Sequence, residues 1–136
     1  MQSQLYPYAR ELFATQQLSW ITGVWRGLLL PISYVPNFSN QFLSNITPGV
    51  RVAISEEIGG KTATNGICSG NHVRFPLLFD NRFISQAIIF RDTGDEATSP
   101  LVAYIGDDDL VNDPFQALGL DYYIYPNIVE GGFFRL

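Results

Sequence analysis

Short apolar runs, broken roughly every ten residues by Gly, Pro, Asn or Asp, set the cadence of this sequence, and that cadence points to sheet. Val24-Trp25-Arg26-Gly27-Leu28-Leu29-Leu30, closed by Pro31, reads as a buried strand, and Val50-Arg51-Val52-Ala53-Ile54 alternates as a half-buried one. Gly59-Gly60 predicts a tight turn after which residues 61–64 return antiparallel. Val73-Arg74-Phe75 and Leu77-Leu78-Phe79 are strand-like around Pro76. Ala87-Ile88-Ile89-Phe90 and Leu101-Val102-Ala103-Tyr104-Ile105 are continuous apolar runs joined by the turn-rich residues 92–100. Residues 121–125 and 132–136 look like a last pair of strands joined through Pro126-Asn127.

Helical periodicity is confined to the beginning. Over residues 5–19, Tyr8, Leu12, Phe13 and Leu18 form a stripe, with Arg10, Glu11, Gln16 and Gln17 on the other side and Pro7 suited to the first turn. Residues 32–38, interrupted by Pro36, read as an edge or a loop, and residues 42–46 as a short helical turn before Pro48-Gly49. The expected architecture is all-β: one antiparallel β-sandwich of seven to nine short strands with one N-terminal α-helix. It forms a single domain over residues 1–136, whose residues 1–20 are the helical segment.

The chemical inventory is thin. One Cys (Cys68) and one His (His72) cannot build a disulfide framework or a zinc site of Cys and His ligands. The net charge is −5, and Lys and Arg do not cluster, so a nucleic-acid footprint is not expected. Residues 1–10 lack the pattern of a secretory signal, and the run from Gly27 to Ile32 is far short of the roughly 20 residues of a membrane helix. No membrane partner and no cofactor are expected. The sequon Asn45-Ile46-Thr47 has meaning only in a secreted chain.

Each candidate for chemistry has a plainer reading. Asp107, Asp108, Asp109 and Asp113 could chelate a cation, yet they lack the spacing of a calcium loop and read as a solvated turn. Asp92, Asp95 and Glu96 read the same way. Glu56 and Glu57 are neighbours, so on extended backbone they point apart and do not form a catalytic carboxylate pair. Cys68 and His72 are close enough in sequence for a thiol–imidazole pair, but nothing signals an orienting group; Cys68 reads as an apolar filler and His72 as a loop residue. Gly59-Gly60-Lys61-Thr62 resembles the end of a phosphate-binding loop, but the first glycine of that motif would fall on Ser55. No catalytic residue is assigned.

Charged residues make up 15% of the chain against roughly 25% in an ordinary soluble domain, while aromatic residues reach 14%. That balance predicts apolar surface meant for a partner. Exposed rings on a β-sandwich also stack on sugars, so a carbohydrate-binding module is an alternative.

Three stretches carry a resemblance. They are Gln41-Phe42-Leu43-Ser44-Asn45-Ile46, then Gly59-Gly60-Lys61-Thr62-Ala63-Thr64, and the pair Ala87-Ile88-Ile89-Phe90-Arg91-Asp92-Thr93-Gly94 with Ala97-Thr98-Ser99-Pro100-Leu101-Val102-Ala103-Tyr104-Ile105. Together with Tyr34-Val35-Pro36 and the closing Gly132-Phe133-Phe134-Arg135-Leu136, they resemble a family of small virion structural proteins of tailed bacteriophages and prophages. Residues 107–120 depart from the pattern as an insertion. The resemblance implies a non-enzymatic virion protein, assembled in the host bacterial cytoplasm. A capsid decoration (cement) protein bound between capsomers is the first expectation, with a tail, neck or baseplate component as the alternative. The implied partners are the major capsid protein or other virion proteins, and further copies of the chain itself, with a trimer as the form considered. The expected anchors are Tyr6, Tyr8, Tyr34, Val35, Phe38, Phe133 and Phe134.

Overall fold

A computed structural model describes residues 3–106, 115–126 and 132–136. Among these the chain is all-β and sandwich-like, with nine strands and one helix near its start. The strands are β1 (Gln4–Leu5), β2 (Val24–Pro31), β3 (Ala53–Ile54), β4 (Thr62–Thr64), β5 (Ile67–Ser69), β6 (Val73–Asp92), β7 (Leu101–Ile105), β8 (Phe115–Ile124) and β9 (Phe134–Arg135). The helix α1 spans Pro7–Ala14, shorter than the predicted 5–19. It begins at Pro7 and ends where Gln16 takes a left-handed φ of 63° and the Gln17 N–H turns back to the Leu12 carbonyl. Ala9 and Leu12 are its buried face.

The main sheet runs β1-β7-β6-β2-β3, with β8 also on β6, and every pairing in it is antiparallel. Its axis is β6, a single strand of 20 residues where the sequence suggested separate short ones. Pro76 is tolerated because it is exposed and falls where the β8 register shifts, between Phe75 and Leu78. There Leu77 takes a φ of 45°, and its N–H donates to the Asp121 carboxylate at 2.9 Å.

The two ends of β6 have different neighbours. Residues 84–92 lie between β2 and β7, while residues 73–84 pair with β8. Ile84 pairs with Pro31 of β2 and with Phe115 of β8, so β8 prolongs the line of β7 along the same side of β6. The start of β6 folds back over β2: a Cβ on Gly27 would lie 2.6 Å from Val73 Cγ1 and 3.1 Å from Phe75 Cζ. Glycine at position 27 is what lets these layers approach. Leu28, Leu29 and Leu30 are buried in succession because β2 is covered on both faces.

Several expected pairings are replaced. Of residues 50–54 only Ala53–Ile54 forms a strand, because Pro48–Val50 is a turn of 3-10 helix. Residues 62–64 pair with β5 through the Asn65-Gly66 turn, both residues having positive φ, and do not return along residues 50–54. Residues 121–124 belong to β8, whereas β9 pairs with β5, so the anticipated last pair is split between two sheets. The short helical turn at 42–46 (3-10 over Leu43–Asn45), the irregular 32–38 segment and the 92–100 link fall as the sequence indicates.

The small sheet β4-β5-β9 is fastened by aromatic rings. Trp20 contacts Trp25, Phe133 and Phe134 at centroid separations of 4.9, 6.2 and 5.2 Å, and its indole N–H donates to the Ser69 carbonyl at 2.8 Å.

Candidate interaction surface

Six of the seven anchors expected from sequence are buried or half-buried. Tyr6 is fully buried, its ring 5.2 Å from Phe38, which meets Tyr104 edge-on at 5.7 Å. Tyr8 is half-buried and packs edge-on against Phe42 at 5.4 Å; Tyr34 is half-buried as well. Phe133 and Phe134 are interior, within the Trp20–Trp25 cluster. The assignment of Tyr6, Phe133 and Phe134 as surface anchors is therefore corrected: the helix, the 32–40 loop and the small sheet cover them, leaving no area for a partner. Val35 alone of the seven is widely exposed, at 81%.

Gln86 fixes the loop that holds Tyr34 and Phe38. Buried mid-strand on β6, its amide donates to the carbonyls of Pro31 and Tyr34, and its carbonyl accepts from the Tyr104 hydroxyl. Burial drives the Tyr6 hydroxyl far above its ordinary pKa, and Tyr34 shifts in the same direction for the same reason.

Cys68 is buried on β5, and burial pushes its thiol up to about 11, so it stays protonated at neutral pH. His72 instead packs edge-on against Tyr123 at 5.1 Å and Tyr125 at 6.0 Å. Tyr123 and Tyr125 lie nearly parallel to each other with ring centroids 6.0 Å apart. Glu57 is exposed, and Glu56 is tied to Arg74 at 2.7 Å.

In the 92–100 link, carboxylates serve the turn. Asp92 accepts from Gly94 N–H and from Arg26, Asp95 accepts from Ala97 N–H, and Glu96 pairs with Arg51. No cluster of three potential metal ligands is assembled among the described residues. Asp107, Asp108, Asp109 and Asp113 lie outside the described residues.

The surface that stands out was missed in sequence. The half of β6 at residues 73–83 and strand β8 form a two-stranded arm that leaves Leu77, Phe79, Phe83, Leu118 and Leu120 exposed. In the register Phe79 pairs with Leu118 and Phe83 with Gln116, opposite the side of Ile84 and Ala117 that enters the core, while Leu120 stands across from the buried Leu78 where the register shifts at Gly119. Gly119, at a φ of 86°, lies beneath the Phe79 ring, whose Cζ is 2.4 Å from where a Cβ would stand. The available signal was Leu118-Gly119-Leu120 before Asp121, an apolar alternation sharing the phase of the polar Gln116.

Charge around this face is neutralised locally. Arg74 contacts Asp121 at 2.8 Å and Glu56 at 2.7 Å, and Asp80 pairs with Arg82 at 2.9 Å. The Leu77 N–H, and then the Arg74 guanidinium, hold the Asp121 carboxyl below the usual carboxylate range. Arg82 does the same for Asp80. Residues 73–83 and 115–124 contain two arginines and two aspartates, so the arm is neutral in a chain of net charge −5.

Five side chains of roughly 150–200 Å² each, more than half exposed, give the arm about 600 Å² of apolar surface, the upper end of what monomers carry. No helix among the described residues is long and apolar enough to cross a membrane. The chain matches no protein-family model and no curated protein.

Proposed function

We propose that this chain is a non-enzymatic structural protein of a tailed-bacteriophage particle, acting as a capsid decoration protein that binds between capsomers. The observation that carries the assembly role is the neutral, apolar face of the β6–β8 arm. A monomer exposing Phe79, Leu118 and Leu120 to water loses the free energy that covering them would gain, about 25 cal/mol per Å². The phage assignment rests on the resemblance of the 87–105 hairpin and its companion stretches. The work done is mechanical: each copy buries surface against its neighbours, and repetition over a shell multiplies a small gain per contact.

The test is the number of copies in purified particles, measured by quantitative mass spectrometry against the major capsid protein. Hundreds of copies place the protein on the shell. A dozen or fewer place it in the tail, neck or baseplate, and its absence from particles overturns the proposal.

A further inference from the structure

We propose that the β6–β8 face is a contact between two copies of this chain, packed about a twofold axis with Phe79 of each copy against Leu118 of the other. The inference deepens the assembly reading by naming the partner of this face, and it rests on that face being a contact.

Three observations select a second copy. The first is area: Leu77, Phe79, Phe83 and Leu118 expose about 500 Å² per copy, the larger part of the roughly 800 Å² that each partner contributes to a standard interface. The second is charge. Two chains of net charge −5 repel as wholes, yet the arm has equal numbers of arginines and aspartates, each engaged with neighbours in its own chain. Two arms can therefore meet without an unpaired charge between them, while a strongly charged partner would find nothing to recognise. The third is shape. Phe79 and Leu118 stand side by side across the ladder, so a twofold axis between them sets each against the other's counterpart in an isologous contact. Gln116, beside Phe83 on that face, supplies a polar group at the rim, its amide bonded to the Asn81 carbonyl at 3.0 Å.

The experiment is analytical ultracentrifugation of the full chain and two arm variants, one with Phe79→Glu and Leu118→Glu, the other with Phe79→Lys and Leu118→Lys. Both positions are 76% exposed, so the substitutions leave the fold intact, which a thermal melt of each variant verifies. The expected result is a dimer for the parent chain, association at least about 100-fold weaker for each variant alone, and recovered association when the acidic and basic variants are mixed. A parent chain that is monomeric up to about 100 μM, where even a weak dimer would form, overturns the proposal. So does a dimer that both variants retain, or failure of the mixed variants to associate. A monomeric parent chain that still incorporates into particles overturns the second-copy contact alone, leaving the arm to a different virion protein. A dimer that never incorporates overturns the virion role while the contact stands.

Discussion

Phe79 and Leu118 lie directly opposite each other across the β6–β8 ladder, and each is 76% exposed. A cross-strand apolar pair normally marks the covered face of a sheet, since the pair gains most when water is excluded from both residues. Here the covered face is the opposite one, with Leu78, Ala117 and Ile84 in the core. The arm is thus apolar on both sides, and one side has no covering element within the described residues.

The closeness of the layers at Gly27 predicts an asymmetry between two glycine substitutions. Gly27→Ala drives a methyl group into Val73 and Phe75 and should destabilise the fold by about 1–3 kcal/mol. Gly49→Ala has nothing within 4 Å of its new Cβ and no positive φ, so its stability should stay within about 0.5 kcal/mol of the parent. Urea unfolding of the two variants beside the parent checks this; equal midpoints would mean the layers do not meet at Gly27.

Gln86 predicts a loss larger than its size suggests. Gln86→Leu preserves bulk but leaves the Pro31 and Tyr34 carbonyls and the Tyr104 hydroxyl without their partner, at a cost of about 2 kcal/mol or more. Because the lost bonds hold the 32–38 loop to the sheet, limited proteolysis should cut the variant within that loop before the parent. A variant as stable and as resistant as the parent would remove Gln86 from this role.

Acid sensitivity follows from three aspartates. Asp92 is lowered by the Gly94 N–H and then by Arg26, Asp121 by the Leu77 N–H and then by Arg74, and Asp80 by Arg82. Each has a folded-state pKa below its unfolded value of about 3.9, so its contribution is complete above that value and is lost as the pH falls through the folded one. Stability should be level from pH 7 to about 5 and drop below about 4. Asp92→Asn should be less stable at pH 7 yet show a shallower acid limb. Thermal melts at pH 7, 5 and 3 decide it, and an unchanged acid limb would exclude Asp92 as a contributor.

The Cys68 thiol, buried and pushed up to about 11, should resist an aromatic disulfide reagent at pH 8 while the chain is folded. One equivalent should react on denaturation in urea. Rapid labelling of the native chain would contradict the interior placement of β5.

The amino-acid sequence alone determined where the chain is extended and where it turns. The apolar run at residues 24–30, the hairpin about residues 92–100 and the helix at Pro7 follow from local periodicity, Pro and Gly, which act within a few residues. Tertiary structure decided which apolar residues are covered. Tyr6, Phe133 and Phe134 look in sequence like Phe79, Leu118 and Leu120; the first three are interior and the last three exposed. It also decided that β6 continues through Pro76 and that β9 pairs with β5 and not with β8. The physical reason is that burial and strand partnership are properties of what lies across the sheet, set by contacts between residues tens of positions apart, and no local pattern encodes them.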